Sequence, residues 1–259
     1  MKLIKKIFNR SLNFILNNIV TNFILIIIRK DNLIKNRKNN WVKKEYNENV
    51  SLQENTGCSA CIQELVNLSH DALKITTKNY LKNGDNILDI GCGPGLFLKD
   101  FSDDKKIFGI DLNKPFLEKA KQLIKNGVFI NGNYLKIKLD EKMNLIYLFS
   151  VLMYIEPSNI NKFFKKISND LAENGILFIQ YPHALQLKDI FFYDLSYVRY
   201  SPFLIEKIAK KYFTIIEHKH FFDDRKVNIY DSKYYYFPDG KNSRLDTLQN
   251  TYLLIAKKK

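Results

Sequence analysis

Cysteine is scarce in this chain. Cys58, Cys61 and Cys92 are the only three in 259 residues, too few for a disulfide framework, and they read as thiols of a reducing, cytoplasmic setting. Cys58-Ser59-Ala60-Cys61 is a lone CxxC. A structural zinc site needs four ligands, so no metal is expected. A run of about 20 apolar residues, the length of a membrane-spanning helix, is also absent. Residues 11–28 are interrupted by Ser11, Asn13, Asn17, Asn18, Thr21 and Asn22. That stretch ends at Arg29-Lys30 rather than in the small residues of a cleavable signal. Acidic residues are few, 27 against 41 basic ones for a net charge of +14, but the imbalance is local. Residues 1–44 hold eleven of the bases and a single acid, Asp31. The remainder is nearly balanced, which disfavours the uniformly cationic body of a nucleic-acid binder. With 46% hydrophobic and 26% charged residues, wholesale disorder is excluded.

The N-terminal arm, by contrast, is patterned. Leu3, Ile4, Ile7, Phe8, Leu12, Ile15, Leu16, Ile19, Val20 and Phe23 recur at intervals of three and four. That spacing puts them on one face of a helix, opposite Lys2, Lys5, Lys6, Asn9 and Asn13. An amphipathic helix with flanking positive charge suits an anionic membrane surface. It suits packing on the body or on a second subunit equally well. Membrane contact through residues 1–44 would make the protein peripheral on the inner face of a membrane. Residues 31–50 read as a polar linker. The domain division is thus 1–50 for arm and linker and 51–259 for the body.

The body alternates short apolar runs with helical spacing. Ser59 reads as the cap of a helix over 60–81. Strands are predicted at 86–90, 107–112, 128–130, 145–149, 176–180, 213–222 and 252–256, and helices at 96–101, 114–125, 158–172 and 202–211. Ser158 is the expected N-cap of the third of these helices, and Asn174-Gly175 its C-terminal stop. Strands alternating with helices through short turns mean βαβ units and a mainly parallel sheet. Tyr234-Tyr235-Tyr236-Phe237 reads as an extra strand or a lid.

The informative stretch is Ile87-Leu88-Asp89-Ile90-Gly91-Cys92-Gly93-Pro94-Gly95. Glycines straight after a strand let the backbone turn tightly and approach a ligand. The dinucleotide fingerprint wants its third glycine three positions after the second, and Leu96 stands there. Asp89, beside the turn, would repel a pyrophosphate but can accept hydrogen bonds from an ammonium group. Asp111 ends the next strand, where a carboxylate can hold both ribose hydroxyls, although an aspartate there also suits a helix cap.

This stretch resembles motif I of the class I S-adenosylmethionine-dependent methyltransferases, and the order of later elements is similar over about residues 70–259. The resemblance implies a Rossmann-like three-layer sandwich with a mainly parallel seven-stranded sheet, extended by the N-terminal amphipathic helix. Its cofactor half would be about 70–180 and its acceptor half about 181–259. It implies that Gly91, Gly93 and Gly95 line the methionine end of S-adenosylmethionine, with Asp89 reaching the amino group, Asp111 the ribose and Leu112 the adenine. Asn133 and Tyr134 stand where the family often has acid and alanine, while Phe149 and Ser150 would lie beside the cofactor. Asn144 replaces the aspartate that commonly starts the fourth strand.

For the acceptor, His183 follows the fifth strand at the sheet's carboxyl edge and is the candidate general base, with Tyr181 as a lining residue. An ordinary loop histidine is the competing reading. His70, His218 and His220 read as structural. Nucleic-acid acceptors are disfavoured because Phe149-Ser150-Val151-Leu152 lacks the Asn/Asp-Pro-Pro-aromatic signature of base amino methylation. The Val151–Ile155 segment is similar to that of members acting on small molecules, so a sugar, lipid or glycan intermediate is the expected acceptor. It would be capped by residues 191–200 and 223–240. A tRNA or protein methyltransferase gripping its substrate with the basic arm is the alternative, and a non-catalytic cofactor-binding module is a third reading. The sequence leaves the oligomeric state open.

Overall fold

The computed structural model describes residues 38–50, 55, 71, 73–101, 103–182, 200–220 and 251–259. The arm helix over 1–30, Cys58, Ser59, Cys61, His70, His183 and the segments 183–199 and 221–250 lie outside the described residues. So does the side chain of His220.

Among the described residues seven strands form one sheet. They are β1 (Asn86–Ile90), β2 (Lys106–Asp111), β3 (Val128–Asn131), β4 (Met143–Phe149), β5 (Leu171–Pro182), β6 (Phe213–His220) and β7 (Thr251–Lys258), in the spatial order β3-β2-β1-β4-β5-β7-β6. All neighbours are parallel except at β7, which runs antiparallel to both β5 and β6. The inner strands are apolar on both faces because both are covered. On one face Leu88, Ile146, Leu148, Leu177 and Leu254 pack with α2 (Ile160–Asp170) and α3 (Pro202–Ala209). On the other face Ile87, Leu145, Tyr147, Phe178 and Leu253 pack with Leu73 of the helical stretch 73–78 and with Leu117 of α1 (Lys114–Leu123). The three-layer, mainly parallel sandwich inferred from the sequence is therefore present. Among the described residues no helix is long and apolar enough to cross a membrane.

Several local expectations are corrected. The helix expected over 96–101 is a short 3-10 turn, Leu98–Phe101. Phe97 stacks on Tyr147 with ring centroids 3.9 Å apart and packs on Phe101, so aromatic packing on the sheet takes over from helical propagation. Ser158 does not cap α2. It lies inside the 3-10 turn Pro157–Asn159, and Asn159 occupies the N-cap position without a side-chain bond. Asn174-Gly175 does not end that helix either. The chain enters β5 at Leu171, which is fully buried and pairs with Met143. The pairing then shifts before resuming at Ile176 with Leu145, and Asn174 adopts a left-handed φ of 61° within the irregular part. Burying Leu171 outweighs the stop signal that Asn and Gly carry.

The largest departure concerns the linker. Residues 38–50 are docked on the body. Trp41 packs edge-on against Phe116 and Tyr154, at centroid separations of 6.3 and 6.4 Å. Tyr46 meets Phe116, and Lys38 pairs with Glu156 at 2.7 Å. A mostly polar stretch is held here by one large apolar anchor and a few well-placed polar ties, a pattern too sparse for periodicity to reveal.

Candidate active site

β1 and β2 end side by side, Ile90 opposite Ile110, and the chain leaves β1 through the glycine corner. The amides of Gly91 and Cys92 both donate to the carbonyl of Ile110, at 2.7 and 3.2 Å, pinning the corner to the neighbouring strand. Gly91 has φ +78°, and a Cβ there would run into Cγ2 of Val151, the second residue past β4. Only glycine lets these two chain segments approach so closely. Gly93 and Gly95 also have positive φ, 52° and 81°. Cys92 is buried, and burial with the nearby charges of Asp111 and Asp89 pushes its thiol up. That makes it a filler of the turn rather than a nucleophile.

Two acids flank the corner. Asp89 is 4% exposed, and its Oδ1 has no hydrogen-bond partner among the described residues. Burial, with the charge of Asp111 beside it, holds this carboxyl well above the usual carboxylate range. Asp111 accepts from the Gly93 amide at 2.9 Å through Oδ2 and from the Asn113 amide at 2.8 Å through Oδ1. Burial raises its pKa, and these backbone donors oppose the shift. The structure thus brings Asp89, Asp111 and the glycines into one corner. Leu112 is half-buried at its edge.

Of the other residues expected at the site, Tyr134 is turned into the core. Tyr134 is 4% exposed in the core, edge-on to Phe163, and its hydroxyl donates to Asp170 at 2.7 Å. Burial and the Asp170 charge push the phenol up, and the side chain is committed away from any ligand. Asn133 is half-buried and accepts from the Leu135 amide at 3.0 Å, capping the turn Tyr134–Lys136. Its amide oxygen retains one lone pair for a ligand. Phe149 ends β4 and Ser150 follows it. Ser150 has a left-handed φ of 56° and is held by Gln180, which accepts from both its amide (2.9 Å) and its hydroxyl (3.0 Å). A serine in that conformation costs about 1 kcal/mol and persists only where its surroundings fix it.

Several residues escaped the sequence reading. Asn131 donates to the carbonyls of Asp111 and Leu112, at 3.1 and 3.0 Å, and so fixes the loop that carries Asp111. Asn113 is fully buried. Its Oδ1 caps α1 by accepting from Phe116 N, while its Nδ2 donates to the carbonyls of Trp41 and Lys44, each at 2.7 Å. A third group lies at the carboxyl edge of β5 and β6, where Tyr181 Oη meets His218 Nε2 at 2.8 Å and His218 Nδ1 meets Glu206 at 2.9 Å. Burial lowers the His218 pKa against the pull of Glu206. The imidazole is then neutral, donating to Glu206 and accepting from Tyr181. Tyr181, expected to line a pocket, is 1% exposed and occupied by this contact. Tyr200 is likewise buried, with its hydroxyl donating to Ile155 O. Asn144 keeps a structural use, its Oδ1 accepting from the Asn86 amide and tying the starts of β1 and β4 together.

A methyltransferase-domain family model matches residues 87–175, the span from β1 into β5. The carboxy-S-adenosyl-L-methionine synthase of Helicobacter pylori (strain G27) is 30% identical over 123 residues, 45% of this chain and 51% of that protein. The chain thus spans about half the length of this curated relative. The phospholethanolamine N-methyltransferase 2 of Haemonchus contortus, solved with phosphomonomethylethanolamine and S-adenosylhomocysteine, shares the fold with a TM-score of 0.56 and 18% identity, over 70% of this chain and 51% of that one. The N-methyltransferase NodS of Bradyrhizobium japonicum, solved with S-adenosylhomocysteine, does so with a TM-score of 0.51 and 17% identity, over 75% of this chain and 84% of that one. Residues 87–175 thus carry a methyltransferase domain, and with its strand order and its glycine corner between two acids the chain is similar to the class I S-adenosylmethionine-dependent methyltransferases.

Proposed function

We propose that the protein transfers the methyl group of S-adenosylmethionine to a small-molecule acceptor, a sugar, a lipid or a glycan intermediate. The observation that carries the reading is the carboxylate oxygen of Asp89 that has no partner among the described residues. A buried carboxylate without a donor costs free energy unless a cation completes it, and the cofactor brings an ammonium group. Bound there, the cofactor supplies an electrophilic methyl on a positively charged sulfur.

The residues divide the binding among themselves. Gly91, Gly93 and Gly95 let backbone rather than side chains face the methionine end. Asp89 receives the ammonium, and Asp111 exchanges part of its backbone bonding for the ribose hydroxyls. Leu112 packs on the adenine, and Asn133 offers its remaining lone pair to the base. Phe149 and Ser150, held by Gln180, form the floor beside the reacting centre. His183, just beyond β5, is the proposed base for a hydroxyl acceptor. Positioning provides most of the rate in such an in-line displacement, which agrees with a site built of rigid strand ends.

Calorimetric titration with S-adenosylhomocysteine tests the cofactor site, and turnover of labelled cofactor on cell extract tests the activity. Wild-type protein that takes up no nucleoside would end the proposal. A second reading follows from the Helicobacter pylori relative, which is a carboxy-S-adenosyl-L-methionine synthase. Mass spectrometry of the nucleoside that co-purifies decides between them, since the second reading requires a product heavier by one carboxylate. The basic arm, residues 1–44, is proposed to bring the enzyme to an anionic membrane. Equal flotation of full-length protein and of a chain lacking the arm, with vesicles containing an anionic lipid, would remove that part. Steeply salt-dependent RNA binding, lost with the arm, would favour a tRNA acceptor instead.

A further inference from the structure

The docked segment 38–50 lies across two loops that the cofactor reading places on opposite sides of the ligand. One is the exit of β2, where Asn113 follows Asp111 by two residues. The other is the exit of β4, where Tyr154 follows Val151 through one 3-10 turn, and Val151 sits against Gly91. The contacts form a closed ring. Val151 lies over the glycine corner, and its carbonyl accepts from the Tyr154 amide at 2.9 Å. The Tyr154 ring meets Trp41, and Trp41 meets Phe116 at the start of α1. Asn113 then ties Trp41 and Lys44 to the loop whose amide holds Asp111, and Asp111 returns to the corner through Gly93. Lys38 closes the far side by pairing with Glu156, with only 14% and 6% of the two side chains exposed.

We infer that residues 38–44 belong to the cofactor site, with Trp41 forming a wall of the nucleoside pocket and Asn113 holding that wall in place. The inference rests on the proposed cofactor site. Trp41 is only half-buried by its two aromatic neighbours and the Lys44 ammonium, which lies 4.9 Å from its ring centroid, so part of the indole stays available to a ligand seated between the β2 and β4 exits. The tie is also specific to asparagine. One side-chain oxygen caps α1 while the amide of the same residue donates twice to the segment, and no other residue type does both at that size. A ligand that engages Asp111 pulls on the Asn113 amide and is thereby coupled to the segment.

Two substitutions separate the roles. Asn113→Ser keeps an oxygen for the Phe116 amide and removes both donors to the segment. Trp41→Ala removes the wall and leaves the tie. Trp41 is the chain's sole tryptophan, so its fluorescence in the full chain reports the segment directly. S-adenosylhomocysteine should shift the Trp41 emission at the concentrations that saturate the calorimetric signal. Asn113→Ser should red-shift the emission of the free protein. Each variant should weaken S-adenosylhomocysteine binding by about tenfold, the scale of one or two neutral hydrogen bonds, while circular dichroism shows a retained fold. Trp41→Phe should recover most of the loss. Wild-type affinity in both Asn113→Ser and Trp41→Ala, with heat still evolved on binding, overturns the inference and leaves the cofactor site standing. No heat with the wild-type protein sinks both.

Discussion

The two halves of the sheet treat buried polar groups in opposite ways. In the β5-β7-β6 half Glu206, His218 and Tyr181 satisfy one another in a line. At the end of β1, Asp89 is as deeply buried but keeps an oxygen with no donor among the described residues, and its neighbour is another acid. Completed networks fix a fold, whereas an incomplete one is a cost tolerated for a ligand. The halves also titrate with opposite sign. Asp89 has a folded pKa raised above its unfolded value of about 3.9. Its contribution to the stability of the ligand-free protein is therefore full below that value and lost as pH rises through the folded pKa. His218 and Glu206 have lowered folded pKa values. Their contributions are present above the unfolded values and lost as pH falls through the folded ones.

That contrast can be broken at several points. The largest effect is expected from Asp111→Ala, which should weaken S-adenosylhomocysteine by about 2–4 kcal/mol through loss of two charge-assisted hydrogen bonds. Calorimetry that finds unchanged affinity displaces the ribose from Asp111. Next comes His218→Phe, which keeps the ring volume but strands the Tyr181 hydroxyl. It should lower unfolding stability by about 1–3 kcal/mol in urea, with nucleoside affinity unaltered. A large affinity change would mean that the relay is not purely structural. Asp89→Asn should do the reverse of His218→Phe. Stability of the ligand-free protein should rise by about 1 kcal/mol at neutral pH, and nucleoside binding should weaken by roughly tenfold. On the proposed reading the charged carboxylate is the binding form, so wild-type affinity should increase as pH rises and protons should be released on binding. Calorimetry in buffers of different ionisation heat would measure both, and proton release surviving in Asp89→Asn would point to another group. The smallest effect is Asn144→Ala, at the opposite edge of the sheet. It should cost about 1 kcal/mol through the orphaned Asn86 amide and leave binding untouched.

The fold was legible where buried runs alternate with turn residues. β1, β2, β3 and β4 were read to within a residue or two, and for the inner strands β1, β2 and β4 the reason is that a strand covered on both faces must be apolar throughout. The corner was legible because its spacing has few other uses. Asp89, Asp111 and the glycines do converge, whereas Tyr134 was assigned by position in a motif, and sequence alone does not reveal that its hydroxyl has Asp170 within reach. Asn174-Gly175 misled because local stop signals are weak beside the burial of Leu171. The 38–50 segment was illegible for a related reason. One tryptophan and one distant asparagine hold it, and pairing across some seventy residues leaves no local trace.

One consequence concerns the order in which the sheet can be assembled. β7 follows β6 in the chain yet lies between β6 and β5. Until residues 251–258 have left the ribosome, β6 has no hydrogen-bonding neighbour among the described strands and β5 presents a bare edge one strand away from the glycine corner. Any break in translation before that point therefore removes two strands rather than one. A growing chain waits for its slowest, most sequence-distant contacts to seal that side.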